Sequence, residues 1–230
     1  MLYTETAARD NIRNRDGKRV FYLGKQDQLT PGARDLLSRE RVQILPAEEA
    51  RPEQYQLLGG GFLTEKPEHM THLNAQVLVR KTHPRILFRG KMDLLEAEIM
   101  LCQLECPSFS HDLGQILALA RKLIRCDVLE EPVPEGKLCA LTAEELRHRS
   151  HFPQNYYNQT HFMPEPADGE KILRLNRCRC AARAAELAAA EAFTDGEGSC
   201  GRTDILRAMN RMSSMIYILM IQEKSGKTDT

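Results

Sequence analysis

The chain has 230 residues, which is long enough to bury a hydrophobic core without disulfides or a structural metal. Apolar residues make up 42% of the sequence and charged residues 28%, the composition of an ordinary globular protein. The 32 basic and 32 acidic residues cancel, so no general electrostatic field attracts nucleic acid or an anionic membrane, and a local cluster must hold any bound anion.

Neither the N-terminus nor the cysteines indicate secretion. No apolar run approaches the ~20 residues of a membrane helix, and residues 1–16 lack the apolar core of a signal peptide. The seven cysteines form no Cys-x-x-Cys pair, so neither a disulfide framework nor a thiolate metal site is expected. We therefore predict a cytosolic protein.

Residues 1–66 are predicted to form a small mixed α/β region. Residues 19–24 (RVFYLG) and 42–46 (VQILP) are short apolar runs that end at a glycine and a proline, as strands often do. Between these runs, Thr30 is a suitable helix N-cap and Pro31 suits the first helical position.

Three consecutive glycines at residues 59–61 allow two interpretations. A glycine-rich loop can cradle phosphate with its backbone N–H groups, but the Gly-Lys-Ser/Thr ending of a P-loop is absent. A flexible connector requires only the glycines themselves. We favour the connector.

After residue 70 the pattern becomes helical, and residues 67–230 are predicted to form a bundle of four or five helices. Apolar residues recur at helical spacing over residues 84–106, 110–130, 142–151, 167–193 and 202–223. A Thr-x-x-Glu capping box opens the third of these helices, and an aromatic and polar loop follows it. The fold class is therefore mainly α, a four- to five-helix bundle with a small mixed α/β N-terminal segment.

Three of the predicted helices carry polar residues at helical spacing among apolar ones. The three sets are Asp93 with Glu96, then Arg179, Arg183 and Glu186, and finally Asn210, Ser214 and Tyr217. One such line is usually a solvated edge, but three together favour a shared polar site. A buried carboxylate is tolerable when an arginine pairs with it, so Arg179 or Arg183 is the expected partner of Asp93. Positive charge then remains for an anionic ligand.

A second basic group lies just before the first of these helices. It comprises Arg80, Lys81, His83 and Arg85. A basic group at a helix N-terminus suits phosphate, because the helix dipole adds to the side-chain charges. A solvated basic loop is an equally good interpretation of the same residues.

Three segments together resemble the corrinoid (cobalamin) adenosyltransferases, specifically the ethanolamine-utilisation branch, over nearly the whole chain. The segments are LTPGARDLLSRERVQI, THLNAQVLVRKTHPRILFRGKMD and ILRAMNRMSSMIYILMI. The related propanediol-utilisation branch has a first-helix pattern that is matched by Lys81, Arg85, Gly90 and Asp93, with Leu94 in place of a glutamate. Its Arg-x-x-x-Arg-x-x-Glu helix is matched by Arg179, Arg183 and Glu186, and its Leu-Asn-Arg-Leu-Ser segment by residues 209–213.

The resemblance implies transfer of the 5′-deoxyadenosyl group of ATP to the cobalt of cob(I)alamin, with Mg²⁺, giving adenosylcobalamin and triphosphate. It also implies that Asp93 pairs with Arg179. The catalytic residues implied are Asp93, Arg179 and Arg183, and the ATP-binding residues are Thr71, Lys81, Arg85, Glu186 and Asn210.

The family also displaces the lower axial ligand of cobalt by pushing an aromatic side chain under the corrin, which eases reduction of the metal. Phe162 resembles that corrin-binding residue, with Tyr156 and Tyr157 as substitutes. Electrons would come from a reduced flavin or a flavoprotein reductase.

Two departures from the relatives concern phosphate and metal binding. The Gly-Asp-x-Gly-Thr-Thr triphosphate loop of the propanediol branch is replaced here by residues 66–72 (KPEHMTH), so only Thr71 and Lys81 carry over. Some ethanolamine-branch members have a metal motif rich in His and Cys before the Thr-His-Leu sequence. Residues 1–101 contain no cysteine here, so we predict that this metal site is absent.

Relatives place the active site between subunits, and the last helix is apolar nearly all round from Ile205 to Ile221. We therefore predict a homo-oligomer, with a trimer preferred over a dimer, in the cytoplasm or associated with a bacterial microcompartment. Two other functions stay open: a module that carries ATP or a corrinoid without turnover, and a structural protein of such a compartment that docks through residues 1–66.

Overall fold

The computed structural model describes residues 1–15, 17–49 and 54–226. By the contacts within it, the chain divides into two compact units. The first unit contains residues 1–55 and 62–65, and the second contains residues 56–61 and the chain from residue 66 onward.

The first unit is a small α/β structure. Its strands are β1 (Leu2–Tyr3), β2 (Arg13–Arg15), β3 (Lys18–Leu23), β4 (Gln28–Leu29) and β5 (Gln43–Pro46), and its helices are α1 (Glu5–Asp10) and α2 (Pro31–Arg39). Strand β3 pairs antiparallel with β2 and parallel with β5, and β1 pairs parallel with β4. Phe21, Leu36 and Leu37 are buried in its core. The Thr30 side chain accepts a hydrogen bond from the Ala33 N–H at 3.3 Å and so caps α2 as predicted.

Short strands extend further along the chain than the sequence pattern indicated. They are β6 (Tyr55–Leu57), β7 (Phe62–Leu63), β8 (Met70–His72) and β9 (Val77–Arg80). Strand β9 pairs parallel with β6 and antiparallel with β8, so the helical pattern expected after residue 70 begins only with the predicted helix at Pro84. Strands of two to four residues are too short to display a period of two.

The three glycines, predicted as a flexible connector, form a tight turn after β6. Gly60 donates its N–H to the Leu57 carbonyl at 3.0 Å. Gly60 and Gly61 have φ angles of +93° and +89°, a region that residues with a Cβ rarely adopt.

The second unit is predominantly helical, which confirms the predicted fold class. Its helices are α3 (Pro84–Glu105), α4 (Ser110–Leu129), α5 (Ala143–His151), α6 (Pro153–Tyr157), α7 (Glu170–Phe193) and α8 (Thr203–Ser225). The capping box of α5 is present, because the Glu145 N–H donates to Thr142 Oγ1 and the Thr142 N–H donates to the Glu145 carboxylate. The five-residue α6 lies inside the segment predicted as a loop.

Helix α8 is the most extensively buried of the described long helices. Helices α5, α6 and α7 pack against it, α3 packs on the other side of α7, and α4 packs on α3. Most α8 side chains from Ile205 to Ile221 are buried by these neighbours. A single chain therefore buries the apolar last helix, whose composition no longer indicates an oligomer.

Helix α3 exposes an apolar face instead. Its exposed large apolar residues are Leu87, Leu94, Met100, Leu101 and Leu104, the last with 80% of its surface accessible. Asp93 lies among them and is exposed as well. Within the described ranges, no helix is both long and apolar enough to cross a membrane.

Candidate functional site

A cleft of about 670 Å³ lies between α7 and α8, with part of its wall formed by the loop of residues 158–165. Its volume is within the usual range for a site that binds a small molecule or cofactor. The predicted site residues that line it are Phe162, Arg179, Arg183 and Asn210. We call it the α7–α8 cleft.

Two arginines give the α7–α8 cleft its charge. Arg179 and Arg183 are four residues apart on α7 and so project from the same face of the helix. The Arg179 guanidinium lies 5.1 Å from the centroid of the Tyr217 ring. Among the described residues, no carboxylate forms an ion pair with either arginine, although Lys171, Arg174 and Arg177 of α7 are all paired. The cleft is therefore suited to an anionic ligand.

Asn210 connects the two helices at one end of the cleft. Its Nδ2 donates to Glu186 Oε1 at 3.0 Å, and its Oδ1 accepts a hydrogen bond from Arg211. Arg183, Glu186 and Asn210 also line an adjoining cleft of about 260 Å³. The structure thus brings Glu186, a predicted ATP-binding residue, to the rim of the same site.

The loop that carries Phe162 is attached to α8 and α5 by hydrogen bonds. The Phe162 N–H donates to the Tyr217 hydroxyl at 3.4 Å, and His161 Nδ1 lies 3.0 Å from the same hydroxyl. His161 Nε2 lies 3.0 Å from the His151 carbonyl oxygen. The ammonium group of Lys224 lies 4.4 Å from the centroid of the Phe162 ring. The loop is therefore held at both its backbone and its aromatic side chain.

The two tyrosines proposed as substitutes for Phe162 do not line the cleft. Tyr157 is only 2% exposed and belongs to the hydrophobic core. The Tyr156 hydroxyl is 2.7 Å from His148 Nδ1, on the outer side of α5 and α6. Of the three aromatic candidates, Phe162 is the one at the cleft.

The predicted pair of Asp93 with Arg179 is not formed within the chain. Asp93 is exposed on α3, whereas Arg179 faces the cleft. Two carboxylates of α3 meet α7: Glu105 pairs with Arg174, and Glu98, which is 7% exposed, accepts from Arg177 Nη2 at 2.7 Å. Arg177 and Arg179 are two residues apart and therefore about 200° apart around the helix. The side of α7 that faces α3 carries Arg177, and the opposite side carries Arg179.

Arg85, a predicted ATP-binding residue, is committed to a structural ion pair. Its Nε donates to Asp127 Oδ1 at 2.8 Å and its Nη2 donates to the Asp127 carbonyl at 2.7 Å. Arg89 Nε donates to the other carboxylate oxygen of Asp127 at 2.6 Å and its Nη2 to the Leu73 carbonyl at 2.8 Å. Asp127 is completely buried. Arg85 therefore lies outside the α7–α8 cleft and is engaged with Asp127, and its contact with ATP stays a prediction.

Asp127 was not among the predicted residues, although the sequence contains a signal for it. Ala120, Leu123 and Asp127 occur at i, i+3 and i+7, on the buried stripe of α4. A carboxylate on such a stripe needs cationic partners, and the Arg85/Arg89 pair at i, i+4 supplies two.

The other residues of the basic group before α3 also lie outside the cleft. Lys81 Nζ pairs with Glu68 at 3.0 Å on the surface, and Thr71 lies in β8 opposite Val79. The His83 side chain caps α3, its Nδ1 accepting from the Arg85 N–H at 3.2 Å. Burial, followed by the charges of Arg85 and Arg89, lowers the pKa of His83 below its ordinary value.

The cysteines and histidines offer no metal centre in the part of the chain that the structure describes, where no three His, Cys, Asp or Glu side chains cluster suitably. Cys102, Cys106 and Cys178 are buried in the helical core. Burial raises the pKa of the Cys178 thiol to about 12, so this thiol stays protonated.

Comparison with known proteins identifies one family. The family model described as cobalamin adenosyltransferase matches residues 62–223. The corrinoid adenosyltransferase EutT of Salmonella typhimurium is 30% identical over an alignment of 242 positions, gaps included. The alignment covers 95% of this chain and 90% of that protein. EutT of Escherichia coli strain K12 is 29% identical with the same coverage. No solved structure gives a significant match.

Proposed function

The chain belongs to the cobalamin adenosyltransferase family, and we propose that it transfers the 5′-deoxyadenosyl group of ATP to cob(I)alamin in the α7–α8 cleft. One observation carries this proposal. Phe162, Arg179, Arg183 and Asn210 come from a loop and two helices, and all four line one cavity. The similarity to EutT supports ethanolamine utilisation as the pathway.

The proposed reaction is a nucleophilic substitution at carbon. The cobalt(I) electron pair attacks C5′ of ATP, the C5′–O5′ bond breaks, and triphosphate leaves with the bonding electrons. Cobalt(I) is already a strong nucleophile, so the protein contributes alignment and stabilisation of the leaving group. Arg179 and Arg183 are suited to the second task, because neither guanidinium is neutralised by a carboxylate of the described chain.

Phe162 has a separate role in this proposal. Cobalt(II) with its usual lower ligand is hard to reduce, and an aromatic side chain in place of that ligand eases the reduction. Phe162 is half-buried at the cleft and is held by Tyr217 and Lys224. A reduced flavin or a flavoprotein reductase would deliver the electron, in the cytoplasm or in a microcompartment.

Mg²⁺ fits the rim of the site. This ion is commonly bound by one or two carboxylates together with substrate phosphates and water. Glu186 supplies a carboxylate at the rim, and only one of its oxygens accepts the Asn210 hydrogen bond. When bound, the ion would neutralise charge on the triphosphate, while Arg183 lies on the same face of α7.

We propose that a second copy of the chain completes the site, in a trimer rather than a dimer. The exposed face of α3 carries Leu94, Leu101 and Leu104, and apolar surface of this kind favours a protein–protein interface. Asp93 lies on the same face and would reach Arg179 of a neighbouring copy. Thr71 and Lys81, which lie outside the cleft of their own chain, are proposed to contact ATP in the same way.

The test is incubation of the protein with chemically reduced cob(I)alamin, ATP and Mg²⁺. We expect the visible spectrum to change to that of adenosylcobalamin and an equal amount of triphosphate to form. Tight binding of ATP or corrinoid without product would instead indicate a carrier. No shift of the melting temperature with either ligand would indicate a structural protein.

A further inference from the structure

Tyr217 stands out because it joins residues with different proposed tasks. It is a half-buried tyrosine on α8, where most neighbouring side chains are buried and apolar. Its hydroxyl contacts His161 and Phe162, and its ring contacts Arg179. None of the sequence motifs assigned it a role beyond one position in a polar line.

The hydrogen bonds around the Tyr217 hydroxyl have a defined direction. His161 Nε2 faces the His151 carbonyl, which can only accept, so Nε2 carries the proton of a neutral ring. His161 Nδ1 is then an acceptor, and the Tyr217 O–H donates to it. The hydroxyl oxygen accepts from the Phe162 N–H. One hydroxyl group therefore attaches two consecutive loop residues to α8.

The ring of Tyr217 holds a cation without neutralising it. Arg179 lies 5.1 Å from the ring centroid, a cation–π contact. A carboxylate in that place would cancel the guanidinium charge and occupy its N–H donors. An aromatic face restricts the orientation of Arg179 and leaves its N–H groups for an anionic ligand.

We propose that Tyr217 is a positioning residue for adenosyl transfer. Its hydroxyl fixes the backbone at Phe162, and hence the aromatic group beneath the corrin, while its ring orients Arg179 toward the phosphates. The inference rests on the proposed function. It adds that the corrin side and the phosphate side of the α7–α8 cleft depend on the same side chain.

Two substitutions separate the two contacts. Tyr217→Phe removes the hydroxyl and keeps the ring, whereas Tyr217→Leu removes both. Tyr22→Phe is a matched control, because it removes a hydroxyl that accepts a hydrogen bond from Arg15 at 3.4 Å in the N-terminal unit.

The first measurement is amide hydrogen exchange of residues 158–165 in the protein without ligands. Exchange should accelerate by about tenfold in Tyr217→Phe, the effect of losing roughly one net hydrogen bond, and should not change in Tyr22→Phe. Unchanged exchange in Tyr217→Phe would overturn the proposed anchoring, whatever the activity of the protein.

The second measurement is the fraction of bound cob(II)alamin that lacks its lower ligand in the presence of ATP, read from its electron paramagnetic resonance spectrum. Tyr217→Phe should lower that fraction and kcat by about tenfold with little change in the KM for ATP, whereas Tyr217→Leu should also raise this KM. Equal values for wild type and Tyr217→Phe would overturn the positioning role.

Phe162→Ala distinguishes failure of the proposed function from failure of the role proposed for Tyr217. If it abolishes the form without the lower ligand while Tyr217→Phe does not, the proposed function stands and the role of Tyr217 fails. If wild type itself makes no adenosylcobalamin, the proposed function fails, and the hydrogen exchange result still decides whether Tyr217 holds the loop.

Discussion

Replacing Asp127 by asparagine should destabilise the helical unit more than any comparable change at a surface ion pair. The carboxylate is completely buried and pairs with Arg85 and Arg89, each of which has 16% of its side chain exposed. Asp127→Asn therefore leaves the largely buried Arg89 without a counter-charge and leaves Arg85 with only the exposed Glu130, at 3.3 Å. Breaking a buried pair in this way typically costs about 3–5 kcal/mol. For a unit of this size, that corresponds to a fall in Tm of roughly 10 °C.

The measurement is thermal and urea unfolding followed by the helical circular dichroism signal. Glu96→Gln is the matched control, because Glu96 pairs with Arg121 at 3.0 Å but the arginine side chain is 58% exposed. We expect the control to lose no more than about 1 kcal/mol. Combining Asp127→Asn with Arg89→Met should cost less than the sum of the single changes, since both act on one cluster. If Asp127→Asn melts within about 2 °C of the control, the cluster does not stabilise the fold as argued.

Three further predictions concern the site, pH and assembly. Asp93→Asn and Arg179→Ala should each remove most adenosylation activity, and the double variant should be little worse than either. The Tm of each variant should fall by no more than about 2 °C, because Asp93 is exposed and does not pair with Arg179 in the single chain. Full activity of Asp93→Asn would exclude this residue from the site. The lowered pKa of His83 means that the unfolded chain binds a proton more readily than the folded chain, so the free energy of unfolding should decline as pH falls below about 6.5. His83→Asn keeps an N-cap acceptor and should flatten that decline, as measured by urea titrations at several pH values. If the stability of this variant declines as much as that of wild type over the same pH range, groups other than His83 cause the decline. Leu94→Glu on the exposed face of α3 should shift the mass measured by light scattering toward the monomer, whereas Leu129→Glu at the end of α4 should not; an unchanged mass for both would place the interface elsewhere.

The long helices could be predicted because their apolar residues recur over many turns. Helices α3, α4, α7 and α8 have 20 or more residues each, and each of them falls close to its predicted segment. Helix α6 has five residues and the strands β6 to β9 have two to four, too few for a period to be seen. Their formation depends on pairing and packing with distant segments rather than on local pattern.

The residues of the cleft could be proposed from the resemblance, but their partners could not. The spacing of Arg179 and Arg183 correctly predicted a shared face of α7. It could not indicate that this face meets α8 while the opposite face, with Arg177, meets α3. That choice is made by side-chain packing among several helices, which a single helix pattern does not contain.

The burial of α8 has a consequence for how the chain acquires its fold. The helix follows α3 to α7 in the chain and is synthesised after them, yet α5, α6 and α7 all pack against it. During translation, α3 and α4 can pair early, whereas the surfaces of α5 and α7 that pack on α8 stay exposed to water until residues 203–225 have been synthesised. A nascent chain that stalls just before Thr203 would present those surfaces to chaperones and proteases. The cleft, with one wall made of α8, can form only after residues 203–225 have been synthesised.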